Sequence, residues 1–245
     1  MLPIEIAVPT RYPAVVTYAL IALNCVVFLF QVSLSPSELE AFLHEFALIP
    51  ARYFAAPPDM AAQGLADYLP FLTNMFLHGG WVHLILNMWT LWLFGPAVED
   101  RLGSGRYLAF YLLCGLVASI AHAVFNPTSP VPALGASGAI SGVLGSFIMM
   151  FPLARLVIVI PVLFFPFFFE VPAFLFAALW FFTQVTAGIA ELFMPAQGGG
   201  IAWWAHTGGF VAGLALTPVL HKSRERYRDY QADEGILGFD PRGRP

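Results

Sequence analysis

Two short runs of small residues carry the side chains best suited to covalent chemistry: Ser137 in Gly135-Ala136-Ser137-Gly138, and His206 in Ala205-His206-Thr207-Gly208-Gly209. A hydroxyl is a weak nucleophile until a base takes its proton, and a neutral imidazole can take it near neutral pH. His83 and Asn87 stand four apart, so they share one face of a helix. An imidazole N–H, an Asn amide and the backbone N–H of Ser137 are the donors that acyl transfer needs around its oxyanion. These residue types point to hydrolysis, and Gly135 and Gly138 leave room for a substrate backbone to approach. No Asp or Glu stands where it could orient His206, so a Ser–His dyad fits better than a triad. Plainer readings stand beside these: Ser137 as a small helix-packing residue, His206 satisfied by nearby backbone or hydroxyl groups, and His83 and Asn87 as interhelical ties.

The elements that must position these groups lie in a bilayer. Hydrophobic residues make up 59% of the chain and charged residues 11%, against roughly a quarter charged in soluble domains. The net charge of -4 argues against a nucleic-acid partner. Apolar stretches of spanning length fall near 14–33, 78–96, 106–125, 135–151, 171–190 and 202–221. The first lacks a small-residue cleavage site after it and reads as a helix that stays. These stretches predict an all-α, polytopic, six-span bundle over 14–221, with an N-terminal segment 1–13 and a polar tail 222–245. Six spans leave both termini on one side. Arg11, Arg101, Arg106, Arg155, the cluster Lys222, Arg224, Arg226 and Arg228, and the tail's Arg242 and Arg244 fall there, with Arg52 opposite. Basic loops stay cytoplasmic, so both termini are predicted inside, and Ser137, His206, His83 and Asn87 share the outer leaflet.

Gly138, Gly142 and Gly145 in the fourth span, and Gly209 and Gly213 in the sixth, form small-residue stripes that let two backbones approach. The apolar run 156–169, broken by Pro161 and Pro166, reads as an interfacial, partly extended loop, because a seventh span would carry the basic tail outside. In the long first outer loop, Ser35-Pro36-Ser37-Glu38 carries a capping box and predicts a short amphipathic helix. Gly198-Gly199-Gly200 predicts a mobile covering loop over the site. His78 and His122 read as structural. Cys25 and Cys114 lie in apolar runs, and no metal site or cofactor is expected.

In these motifs the chain resembles the rhomboid intramembrane serine proteases. The resemblance rests on His78-Gly79-Gly80-Trp81-Val82-His83 with Asn87, on Phe94-Gly95 leading to Val98-Glu99-Asp100-Arg101-Leu102-Gly103, and on the Ser137 and His206 runs. It implies Ser137 as nucleophile, His206 as general base and His83 and Asn87 as oxyanion contributors, cutting transmembrane substrates without a cofactor in a bacterial cytoplasmic membrane. The stretch 121–127 also looks like the bacterial group. Many members carry a Trp-Arg pair in the first outer loop where this chain has Leu69-Pro70. Two other classes compete: a non-catalytic adaptor that binds spans without cutting them, and a small transporter, which would be expected to show intramembrane charges. Substrate and oligomeric state are open.

Overall fold

The computed structural model describes residues 2–55, 64–162, 165–193 and 202–221. In chain order the elements are strand β1 (Leu2–Ile6), helices α1 (Val15–Ser33), α2 (Pro36–Phe46), α3 (Ala51–Phe54), α4 (Pro70–Thr73), α5 (Trp81–Leu102), α6 (Ser104–Phe125) and α7 (Ser137–Met150), strands β2 (Arg155–Val162) and β3 (Phe165–Pro172), and helices α8 (Ala173–Phe193) and α9 (Trp203–Leu220). Among the described residues, α1, α5, α6 and α8 are long and apolar enough to cross a membrane. With α7 and α9 they form a six-helix bundle.

The bundle is built around α7. Ten of its fourteen residues are buried, the pattern of a helix enclosed on nearly every side. At 1.5 Å per residue, α7 is about 21 Å long, shorter than a ~30 Å hydrocarbon core. The cost of that shortness is small because its neighbours, not lipid, surround it. Its first residue, Ser137, therefore starts inside the bundle.

Glycines set the approach of α9. A Cβ placed on Gly209 would land on the carbonyl of Gly138, and one on Gly213 on the carbonyl of Gly142. On the other side of α7, a Cβ on Gly142 would come within 2.5 Å of the Cys114 side chain in α6. Backbones this close leave van der Waals packing to hold the helices, since lipid supplies no hydrophobic drive between spans.

The far end of the bundle is tied by carboxylates. Glu99 accepts from the backbone N–H groups of Val16 and Thr17 at 2.9 and 2.8 Å, and from the hydroxyls of Thr17 and Ser104. Asp100 accepts from the backbone N–H of Arg11 and Tyr12, each at 2.9 Å. The first N–H groups of α1 lack partners within the helix, and negative charge is favoured at that end. Gly103, at φ 77, then turns the chain from α5 into α6. α5 itself runs through Pro96 to Leu102, past the expected end near 96.

The loop from α1 to α5 is anchored without a Trp-Arg pair. Ser35 caps α2 as the capping box predicts: its Oγ accepts from Glu38 N–H at 3.4 Å and its own N–H donates to Glu38 Oε2 at 2.8 Å, with the hydroxyl also donating to that carboxylate at 2.6 Å. Those bonds hold the Glu38 carboxyl below the ordinary carboxylate range. Leu48 and Ala133 exchange both backbone hydrogen bonds. Asn74 donates to Ser119 of α6 at 2.9 Å, and its carbonyl accepts from Gly135 N–H at 2.9 Å. Gln31 brackets His78, accepting from its N–H at 3.0 Å and donating to its carbonyl at 3.2 Å. The loop thus fixes both chain segments that lead into the site.

The run 156–169 is more ordered than an interfacial loop. β2 and β3 form an antiparallel hairpin, and β1 pairs with β2 to make a sheet of order β1-β2-β3. Its β-branched and aromatic residues favour strand, and pairing satisfies backbone groups that an apolar setting leaves costly. β1 packs on α5 while β2 and β3 pack on α8. The Trp89 indole donates to the Pro3 carbonyl at 2.8 Å, eight residues into α5. The N-terminal segment thus reaches about 12 Å along α5 from its Trp81 end. At the base of the hairpin, exposed Arg155 and Glu170 pair at 3.2 Å. The basic cluster 222–228 and the Gly198–Gly200 run lie outside the described residues.

Candidate active site

Ser137 opens α7, directly after a turn that only glycine makes easily. Gly135 has φ +130, and a Cβ there would sit 2.8 Å from the His83 ring. That glycine makes the turn and lets it pack closely on α5, where the space beside it is filled by His83. Ala136 then stands at the N-cap, so the first N–H groups of α7, beginning with that of Ser137, have no acceptor within the helix.

His206 lies in the first turn of α9, its backbone N–H bonded to the Ala202 carbonyl at 3.1 Å. The close α7–α9 contact carries its ring to Ser137: His206 Nε2 and Ser137 Oγ are 2.8 Å apart. The other ring nitrogen, Nδ1, lies 2.7 Å from Gln184 Oε1 on α8. Trp180 and Trp203 flank the imidazole, with ring centroids 6.0 and 6.4 Å away.

His83 and Asn87 project from α5 on the shared face that their spacing predicts. Gly79 N–H lies 3.5 Å from His83 Nδ1, and the Nε2 side of the ring faces Gly135. Asn87 is buried, and its Nδ2 has no hydrogen-bond partner among the described residues. Both side chains line a cavity of about 880 Å³, with Ser137, His206 and His122. Its far wall includes Trp180 and Phe176 of α8 and Leu2 and Pro3 of β1.

The structure brings Ser137, His206, His83 and Asn87 to one cavity. Gly138, Gly142, Gly209 and Gly213 lie on the α7–α9 contact. His78 does not line the cavity; its ring meets Phe28 and His83 edge-on, at 6.4 and 5.3 Å. His122 lines it, with Asn126, the residue that caps the end of α6, 3.4 Å from Nδ1. Sequence reasoning missed Gln184. The signal present was a lone amide in a span whose other polar residues are Thr183, Thr186 and Glu191, a group that membranes penalise unless it has a partner.

A partly buried hydroxyl held on an imidazole, with unspent N–H donors nearby, is the arrangement of a serine hydrolase. Across the chain, the family model of the rhomboid domain matches residues 66–223, well over half of the sequence. The chain belongs to the rhomboid family. It is similar to rhomboid protease GluP of Bacillus subtilis, 38% identical over 133 residues, which are 54% of this chain and 24% of that protein. It is also similar to rhomboid protein 1, mitochondrial, of Saccharomyces cerevisiae, 27% identical over 227 residues, 89% of this chain and 56% of the relative. The human presenilin-associated rhomboid-like protein, mitochondrial, is 31% identical over 170 residues, covering 66% and 40% of the two chains. This rhomboid therefore spans about half or less of the length of these relatives. It is a multi-pass membrane protein of the family.

Proposed function

We propose that this rhomboid is an intramembrane serine endopeptidase that cuts transmembrane segments of other membrane proteins. The observation that carries the reading is the 2.8 Å contact between Ser137 Oγ and His206 Nε2 inside a cavity that also holds His83 and Asn87. Ser137 Oγ attacks the scissile carbonyl as its proton passes to His206 Nε2. The oxyanion takes hydrogen bonds from Asn87 Nδ2, His83 Nε2–H and the backbone N–H of Ser137. His206 then returns the proton to the leaving amine as the C–N bond breaks. Water, deprotonated by the same imidazole, releases the acyl group and restores Ser137. Substrates are single spans with small or helix-breaking residues near their outer ends, because a tight helix hides its carbonyls in its own hydrogen bonds. The test is to reconstitute the purified protein in liposomes with such spans and sequence the products. Two fragments from one internal cut are expected; intact spans that co-purify with the protein would mark an adaptor instead.

Asn87→Ala lowers the rate constant by roughly 10²–10³ with little change in substrate affinity, the loss expected for one principal oxyanion donor. Steady-state kinetics against a transmembrane substrate checks it. A normal rate with a lowered melting temperature would make Asn87 only a tie between helices.

The setting proposed is a bacterial cytoplasmic membrane, with 14–221 as the membrane domain and the flanks 1–13 and 222–245 entering from the inside, β1 rising from there along α5 as far as Trp89. Arg101 and Arg106 lie at the bundle end opposite Ser137, and Arg106 donates to the Leu220 carbonyl at the C-terminus of α9. Basic residues gathered at one end support that end as cytoplasmic. A cysteine introduced between 126 and 134 should then react with an impermeant maleimide on intact cells. Cysteines near Ser104 or in 222–228 should react only after lysis; the opposite pattern would invert the topology.

A further inference from the structure

The hydrogen bonds of Gln184 settle which way its amide faces. Its Nε2 donates to the Thr183 hydroxyl at 3.0 Å and to the Trp180 carbonyl at 3.3 Å. The carbonyl oxygen is left facing His206 Nδ1 at 2.7 Å, and Gln184 is 5% exposed, so water does not compete for that contact. An amide oxygen only accepts, which puts the proton of neutral His206 on Nδ1. Nε2 is then an acceptor, and the 2.8 Å contact to Ser137 has the hydroxyl donating. That is the one tautomer in which His206 can take the Ser137 proton.

We propose that Gln184 is the positioning residue of the site, fixing the tautomer and ring orientation of His206 from α8. The assignment rests on the reading of His206 as base for Ser137. In a soluble triad a carboxylate does this work. Here a neutral amide does it, which avoids burying a formal charge in an apolar span. The oxygen still accepts from Nδ1–H when the ring is doubly protonated, so the bond persists through the proton transfer. Trp180, one turn before Gln184, both accepts from the amide and flanks the imidazole, so α8 presents the two as a unit. The link also makes reactivity at Ser137 depend on how α8 seats against α9.

The experiment pairs two readouts on the full-length protein in detergent. The first is the rate at which a fluorophosphonate labels Ser137, followed against pH. The second is the ¹⁵N chemical shift of the His206 ring nitrogens. Gln184→Met keeps the volume and removes the acceptor. Its labelling should fall by about 10- to 100-fold, part of the roughly 10²–10⁴ that a well-placed base contributes. The Nδ1–H signal should give way to a tautomer mixture. Gln184→Glu restores an acceptor and adds a charge, so labelling should recover and the acid limb of the profile should move to higher pH, because a carboxylate favours imidazolium. A residue that merely packed would lower the melting temperature and leave the tautomer and acid limb unmoved. Wild-type labelling rates and an unchanged tautomer in Gln184→Met would overturn the proposal. If the wild type takes no label, the hydrolase reading fails, and the nitrogen shifts alone judge Gln184: Nδ1–H in the wild type, lost in Gln184→Met, upholds its role, and Nε2–H in the wild type ends it.

Discussion

Ser137→Ala and His206→Ala should each reduce cleavage of a transmembrane substrate to background, a loss of the order of 10⁴–10⁶, and the double variant should be scarcely worse than either. The 2.8 Å contact makes the two one unit: without the imidazole the hydroxyl keeps its proton, and without the hydroxyl the imidazole has nothing to deprotonate. The packing that holds α7 to α9 needs neither side chain. Ser137 is only partly buried, and the close approach of α7 to α9 rests on Gly138, Gly142, Gly209 and Gly213. Both variants should therefore melt near the wild-type temperature in detergent. Near-wild-type turnover in either single variant would remove the dyad.

The second large effect is on packing. Gly209→Leu and Gly142→Leu should lower both stability and activity, because each side chain must displace another helix's backbone or buried side chain. Even Gly209→Ala puts a carbon onto the Gly138 carbonyl, so its cost should reach the upper part of the ~1–3 kcal/mol typical of overpacking. Gly105 supplies the contrast. A Cβ there meets nothing within 4 Å, and Gly105→Ala in the first turn of α6 should be neutral or mildly stabilising. Thermal melts of the four variants, read beside cleavage, separate the α7–α9 contact from a general intolerance of glycine replacement. Full activity in Gly209→Leu would place that glycine off the interface.

Much of this was legible in the chain because polar groups are expensive in apolar segments. Ser137, His206, His83 and Asn87 stand out for that reason, and a spacing of four is enough to give His83 and Asn87 one face. The glycine stripes marked which faces of α7 and α9 could meet. Gln184 is written just as openly, but its partner is set by how α8 leans on α9, and no local spacing carries that. The hairpin was hidden for a different reason: a short apolar run does not separate strand from helix by periodicity, and β1, which completes the sheet, lies some 150 residues earlier in the chain. The role of Glu99 and Asp100 also needed the fold, since, beside the Ser104 hydroxyl, they accept from residues 11–17 of α1 and the segment before it.

The central claim is that Ser137 is a nucleophile activated by His206. The most direct measurement is to treat membranes holding the full-length protein with a fluorophosphonate and map the adduct by mass spectrometry. The account predicts one adduct, on Ser137, in the wild type and almost none in His206→Ala, although that variant keeps the hydroxyl. No adduct in a folded wild-type protein, or equal labelling of Ser137 in His206→Ala, would contradict it.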